Sequence, residues 1–506
     1  MKITYTALSA ICLVLSFPNF NLSFLAWVGL VPLLFALKDA SPRNAFLLSY
    51  LTGVLFFLGT IWWLVHVTLP GILIVVLYLA LYFGLFGLIF SSLRLTTYNL
   101  QLFSIPAVWV SLEYARSNLL TGFGWVLLAH SQSANLPVIQ IADIAGAYGV
   151  SFLVVMVNTA AFFVIVNFKK KDYSVAPAVL ASFLVFISLI YGNFRLNNIF
   201  TGERLKVAVV QGNIPQDEKW DMNYRESILA KYETLTKEAA KERPDLIVWP
   251  ETSVPGFLES EEDISARIKN LAAAAKTPLL VGTIREDKER RGVYYNSATL
   301  LSGDGRLSGS YDKVHLVPFG EYIPFKGLLS FAQKFAKRPI GDVTKGEDYK
   351  VFKFFIERHS SAKDANRRLI KAVKFSCLIC FEDIFPEISR KFVKEGAAFL
   401  VNITNDAWYK KTSAAYQHAE SSVFRAVENR TNIVRAANTG YSCFIDQKGR
   451  IADAVKKNAE DLFVDGFKSR EITLAGTRTF YNTYGDLFAY LCIIFALIQI
   501  RRRYIR

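Results

Sequence analysis

Ala372–Glu382 reads AVKFSCLICFE, an apolar run that stops abruptly on Cys380-Phe381-Glu382. A short run of this kind, rich in β-branched and aromatic residues, predicts a buried strand over Ala372–Ile379. The strand end is where a layered α/β domain presents its chemistry. The same construction occurs twice upstream. The strand at Asp245–Trp249 runs into Pro250-Glu251, and a hairpin over Tyr295–Val314, turning at Gly303-Asp304-Gly305, carries Lys313 near its close.

Working outward, Leu205–Gln211 reads as a strand, Tyr224–Lys241 and Ile264–Ala275 as helices, and Pro278–Thr283 as extended. After a longer insert come a helix from Pro386, a strand at Ala397–Ile403, a helix over Ser413–Asn429, and a last hairpin at Gln447-Lys448-Gly449. This alternation predicts an α/β domain with layered sheets, though the pattern carries no strand order.

Glu251, Lys313 and Cys380 are therefore the candidate catalytic residues. A thiol, with a free pKa of about 8.5, is a weak nucleophile until a base and a nearby cation activate it. A carboxylate and a lysine supply both. Singly, each has a plain structural reading: a surface charge, a hairpin charge, a small buried apolar residue. Cys377 and Cys380 also form C-x-x-C. No helix start follows the first Cys and no second ligand pair exists, and strand residues three apart point to opposite faces, so the spacing argues against a redox or metal site. No metal or cofactor is implied. His418 invites a Cys–His pairing, but with Glu251 and Lys313 present it reads as a packing residue.

Outside Gly202–Thr477 the chain changes character. Apolar residues make up 52% of the 506 and charged residues 20%, too apolar for the about three soluble domains that the length suggests. The excess lies before Asn193 and after Tyr484. Runs suited to a bilayer core of about 30 Å recur there. Eight spans are predicted: Ile3–Phe17, Leu22–Leu37, Ala45–Val65, Gly71–Leu93, Leu102–Tyr114, Val150–Phe168, Val175–Tyr191 and Asp486–Ile500. Met1-Lys2 with the following run also resembles a secretory signal, but the small-residue patch Leu8-Ser9-Ala10 falls inside the run instead of after it.

The net charge of +15 then acquires a meaning. With Lys2 cytoplasmic, Lys38, Arg43, Arg94, Lys169-Lys170-Lys171 and the tail Arg501-Arg502-Arg503 and Arg506 all fall on the cytoplasmic side. The short outer loops are nearly free of basic residues apart from Arg116. This is the positive-inside bias, and it places the Gly202–Thr477 domain outside, the periplasmic face of a bacterial inner membrane. The predicted organisation is a seven-helix transmembrane bundle at 1–198, a catalytic domain at 199–478, and a last helix with a basic cytoplasmic tail at 479–506. A nucleic-acid partner is not indicated.

Trp249-Pro250-Glu251, Tyr311-Asp312-Lys313, the run Leu316-Val317-Pro318-Phe319-Gly320-Glu321-Tyr322-Ile323-Pro324, Cys380-Phe381-Glu382 and Asn405-Asp406-Ala407-Trp408 resemble the nitrilase superfamily. With the flanking spans, essentially the whole chain resembles the apolipoprotein N-acyltransferase family. The resemblance implies an α-β-β-α sandwich beside about eight membrane helices. It also implies a two-step exchange in which an acyl chain passes from a membrane phospholipid to Cys380 as a thioester, then to the N-terminal amine of a diacylglyceryl-cysteine lipoprotein. Glu251 would move the protons, Lys313 would favour thiolate and oxyanion, and Glu321 and Glu382 would orient Lys313 and the site.

There are departures from the family pattern. Family members often have Tyr where this chain has Phe381, and Tyr409-Lys410-Lys411 replaces the usual aromatic-Gly after Trp408. Trp220 stands where the family has an aromatic gate, with a core tryptophan as the other reading. Phe325–Lys337, with Leu329 and Phe335, reads as an amphipathic segment, either a lid bordering the entrance at the membrane surface or a helix packed on the domain. Two other functions stay open at this point: a membrane-tethered amidase of the same superfamily, and a transporter with a non-catalytic outer domain. The lack of mid-membrane ionisable residues weighs against the transporter.

Overall fold

The computed structural model describes residues 1–93, 98–169, 175–323, 343–359, 368–474 and 478–501. The chain divides into two compact units, one made of Met1–Asn198, Thr412–Glu428 and Thr479–Arg506, the other of Ile199–Lys411 and Asn429–Arg478.

The first unit is helical. Seven of the eight predicted spans fall on helix, with revised ends: Lys2–Leu15, Pro42–Thr60, Leu69–Ser92, Tyr98–Asn118, Ala142–Lys169, Ala176–Asn197 and Leu487–Arg501. The span expected at Leu22–Leu37 is instead a 3-10 turn at Ser23–Trp27 followed by the helix Val31–Leu37. Pro42 sits in a first turn, where its missing N–H costs nothing, and the Ser41 hydroxyl accepts from Asn44 N to cap the helix. Among the described residues, three helices are long and apolar enough to cross a membrane: Leu69–Ser92, Ala142–Phe168 and Ala176–Asn197. Lys2–Leu15, Ser23–Leu37 and Leu487–Arg501 are shorter apolar helices.

Four ionisable residues of this unit, Glu113, Arg116, Asp143 and Arg195, are bonded within it. Arg116 donates to the carbonyls of Phe123 and Trp125, and Glu113 accepts from Leu128 N, which together brace the long connection after Tyr98–Asn118. Asp143 accepts from Tyr191 and pairs with Arg195 at 2.9 Å.

The second unit contains two six-stranded sheets. Its strands are β1 (Glu203–Gln211), β2 (Leu246–Val248), β3 (Leu279–Glu286), β4 (Tyr294–Leu301), β5 (Leu307–Asp312), β6 (Phe352–His359), β7 (Arg368–Ile379), β8 (Phe399–Thr404), β9 (Asn432–Ala437), β10 (Cys443–Ile445), β11 (Ile451–Ala454) and β12 (Gly466–Leu474). The orders are β12-β1-β2-β3-β4-β5 and β11-β10-β9-β8-β7-β6. Each sheet has three parallel strands at its centre, β1-β2-β3 and β7-β8-β9, extended by antiparallel neighbours. The sheets face each other through β1 and β9 and through β4 and β7.

Helices Arg225–Lys241 and Glu262–Ala275 cover the first sheet because their apolar stripes, Ile228, Leu229 and Tyr232, then Ile264, Ile268 and Leu271, bury against Val210, Ile247, Trp249 and Val281. Helix Pro386–Lys394 buries Ile388 and Phe392 and packs on β7. The helix Ala414–Asn429, which links β8 to β9, packs for all but its last residue in the first unit. There Gln417 Oε1 accepts from the indole N–H groups of Trp63 and Trp125, both at 3.0 Å, and its Nε2 donates to Thr60 O. His418 lies on this helix, buried, with its ring 5.2 Å from that of Trp125.

Candidate active site

Three strand ends bring the site together. Glu251 follows β2, whose end is anchored by Trp249: the indole stacks on Tyr232 with centroids 4.7 Å apart and donates to Thr236 Oγ1 at 2.8 Å. β3 passes close behind because residue 282 is glycine; a Cβ there would collide with Pro250 O, Thr252 N and the Glu251 Cα. Lys313 follows β5, and its N–H donates to Asn296 O in the neighbouring β4. Cys380 follows β7, opening the 3-10 turn Cys380–Ile384, with φ at +55°, a left-handed conformation that a non-glycine residue adopts only under constraint. Asn402 of β8 supplies part of that constraint by donating to the carbonyls of Cys380 and Leu378.

The charged groups are buried together. Lys313 is 1% exposed, and its Nζ lies 3.0 Å from Glu321 Oε1 and 3.7 Å from Glu251 Oε1. Burial opposes its charge, but Glu321, Cys380 and Glu251 outweigh burial and raise its pKa above the ordinary lysine value. The Cys380 thiol is pushed well up, first by burial and then by Glu251, with Lys313 and a hydrogen bond from Thr404 pulling the other way.

The two other carboxylates act on backbone as well as side chains. Glu321 takes Lys313 on one oxygen and Val317 N, at 2.7 Å, on the other. Glu382 is fully buried and accepts from Ile379 N, Val314 N, His315 N and the Tyr311 hydroxyl. It thus ties the peptide beside Cys380 to the peptides beside Lys313. Burial lifts its pKa to about 7 against the pull of those donors and of Lys313.

Two members of the cluster had escaped the sequence. Asn296 Nδ2 donates to Glu251 Oε1 at 2.7 Å and to Glu321 Oε1 at 2.8 Å, spacing the carboxylates on either side of Lys313. In sequence it is one of three polar residues, with Ser297 and Thr299, in strand β4, so nothing marks it out. Lys219 is 5% exposed and donates to Glu251 O at 2.9 Å; in sequence it is one charge in the run Asp217-Glu218-Lys219.

The expected entrance residues divide. Trp220 is 52% exposed, which removes the core reading, and lines a cavity of about 270 Å³ with Met222, Pro255, Phe257, Ile284 and Tyr294. Phe381 is buried, edge-on to Phe385 and beneath Lys313 Nζ, 5.5 Å from its ring centre, so it forms an inner wall. Leu329 and Phe335 fall outside the described residues. All five cysteines are free thiols, Cys377 and Cys443 included. Among the described residues, no group of acidic, histidine and cysteine side chains has a metal-binding arrangement.

Two family models match the chain: "Apolipoprotein N-acyltransferase N-terminal domain" over residues 9–160 and "Carbon-nitrogen hydrolase" over residues 206–475. The apolipoprotein N-acyltransferase of Geobacter metallireducens is 40% identical over 516 aligned residues, covering 98% of this chain and 95% of that relative. The enzyme of the same name from Pasteurella multocida is 29% identical, with 98% and 95% covered. Among solved structures, Saccharomyces cerevisiae Nit3, of branch 10 of the nitrilase superfamily, aligns with a TM-score of 0.38 at 18% identity, covering 55% of this chain and 92% of that one.

Proposed function

The chain belongs to the apolipoprotein N-acyltransferases, enzymes of lipoprotein N-acylation, and from that premise we propose how its own residues carry out the transfer. The acyl donor is a membrane phospholipid and the acceptor the N-terminal amine of a diacylglyceryl-cysteine lipoprotein. Cys380 holds the acyl group between them.

In the first half-reaction Glu251 takes the thiol proton as sulfur attacks the ester carbonyl carbon. Lys313 faces the negative charge that develops on sulfur and on the carbonyl oxygen. A preorganised donor of this kind is worth about 3 kcal/mol of barrier. The C–O bond breaks, Glu251 returns the proton to the departing lysophospholipid oxygen, and a thioester remains. In the second half-reaction the amine attacks that thioester, Glu251 accepts its proton, and the thiolate leaves and is reprotonated. One ester is exchanged for one amide. Asn296 and Glu321 hold the carboxylate and the lysine in register, while Glu382 fixes the backbone beneath them.

The observation that carries this reading is the convergence of Glu251, Lys313 and Cys380 from three strand ends, with the cysteine held at φ +55°. The rest of the chain follows the same logic: about eight membrane crossings, the catalytic domain on the periplasmic face, both termini cytoplasmic, and Trp220 at the entrance. The test is to incubate purified protein with a labelled phospholipid, trap the intermediate by mass spectrometry, then add a diacylated lipopeptide. An acyl group on Cys380 that chases into the peptide amine is the expected result, lost in Cys380→Ala. Unchanged turnover in that variant, or release of free fatty acid alone, overturns the assignment.

A further inference from the structure

Lys219 sits beside the catalytic carboxylate in an unusual state. It is 5% exposed, its Nζ has one acceptor, the Glu251 carbonyl at 2.9 Å, and among the described residues no carboxylate lies within ion-pair distance. A buried ammonium with a single neutral acceptor is costly to fold around. Its mount is nonetheless specific. The loop that carries it is tied down by Asn438, which accepts from Ile214 N and donates to Ile214 O, and by Asn405, whose Nδ2 donates to Gln216 Oε1 at 2.8 Å. A turn from Lys219 N to Pro215 O completes the mount. Asn405 follows Thr404, the residue that bonds the Cys380 thiol, so the nucleophile's floor and the Lys219 loop are held by adjacent residues.

We propose that Lys219 is a positioning residue for the base: its buried ammonium donates to the Glu251 carbonyl and so fixes the peptide whose carboxylate receives the thiol proton. The inference rests on the assignment of Glu251 and Cys380 above. It explains why an unpaired cation is kept dry at this spot when Lys313 already serves the sulfur and the oxyanion. The groups facing Lys219 are Glu251 and Cys380 across the site, and Asp221, Arg225 and Glu261 around the adjoining cavity. Arg225 is committed to Glu261 and Asp263. Burial lowers the Lys219 pKa to about 8, with Glu251 and Cys380 pulling it back up. The charge is therefore half lost near pH 8, nearly complete a full pH step lower, and gone as pH rises well past it.

The experiment follows the first half-reaction alone, so that the acceptor amine does not titrate: quenched time courses of Cys380 acylation from labelled phospholipid, across pH, for wild type, Lys219→Met and Lys219→Arg. Lys219→Met slows thioester formation about 10- to 100-fold, the worth of a charge-assisted hydrogen bond, at an unchanged half-saturating donor concentration. Lys219→Arg recovers most of the rate and moves the alkaline fall of the profile upward from about 8. Wild-type rates in Lys219→Met overturn the proposal. So does a raised half-saturating concentration at full maximal rate, which makes Lys219 a lipid contact. If Lys219→Met does not fold, the profile of Lys219→Arg decides, and an unmoved alkaline limb rejects the role. Absence of any thioester on wild-type protein fails the Cys380 assignment itself.

Discussion

At the scale of single residues, the site is a problem in holding three carboxylates and two lysines in one buried volume. Asn296 deals with the sharpest part of it, since its one amide nitrogen bridges Glu251 and Glu321 on either side of Lys313. Asn296→Leu should leave both oxygens facing each other with Lys313 as the only mediator, slowing Cys380 acylation about 10- to 100-fold. Asn296→Asp should be worse, because it puts a negative charge in place of the donor between Glu251 and Glu321. Stopped time courses of thioester formation check both, and an aspartate variant as fast as wild type would remove Asn296 from this role. Glu251, Lys313 and Cys380 were legible in the sequence because each closes an apolar run, where a charge or a thiol stands out. Asn296 and Lys219 were not. The first needed the β3-β4-β5 register to bring it opposite Lys313, and the second lay in a charged stretch that looks like any solvated loop.

At the scale of elements, the hydrophobic period identified most strands and helices within a few residues of their ends. β6, β9 and β12 escaped it for different reasons. β12, GFKSREITL, is a polar strand at one sheet edge, and its place depends on antiparallel pairing with β1 that no local pattern encodes. The helix Ala414–Asn429 was read correctly as a helix, yet its company was not. Gln417 receives two indole N–H groups and donates to the Thr60 carbonyl, all within the helical unit. That bond set requires a buried amide with both an acceptor and a donor end. Gln417→Leu removes the acceptor shared by Trp63 and Trp125 and the donor to Thr60, at about 1–3 kcal/mol for each buried group left unmatched. The melting temperature in detergent should fall by several degrees, on the order of 2–4 °C for each kcal/mol lost. A melting curve that superimposes on wild type would mean that Trp63 and Trp125 are held by packing alone.

At the scale of the whole molecule, composition separated an apolar bundle from an α/β domain, and the places of the basic residues behind the charge of +15 predict an orientation that remains to be measured. The strand order of the two sheets was beyond reach, because periodicity states which face of a strand is buried and not which neighbour it takes. Orientation is the claim that belongs to this scale, since it emerges only from summing loops. Lys38 and Arg43, Arg94, Lys169-Lys170-Lys171 and the Arg501-Arg502-Arg503 tail follow two, four, six and eight predicted crossings, an even number each time, and Lys2 precedes the first. An even number of crossings, with the catalytic unit between the last two, therefore puts that unit opposite to both termini. The prediction uses exposed positions on either side: Asp304→Cys at the β4–β5 turn, Asp39→Cys in the first basic loop, and Arg501→Cys at the end of the last helix. In intact spheroplasts an impermeant maleimide should label Asp304→Cys above the wild-type background and leave the other two unmodified; lysis should expose all three. Labelling of Asp39→Cys or Arg501→Cys from outside would break the even count, and protection of Asp304→Cys would place the thioester chemistry on the wrong side of the bilayer for an acceptor that has already been exported.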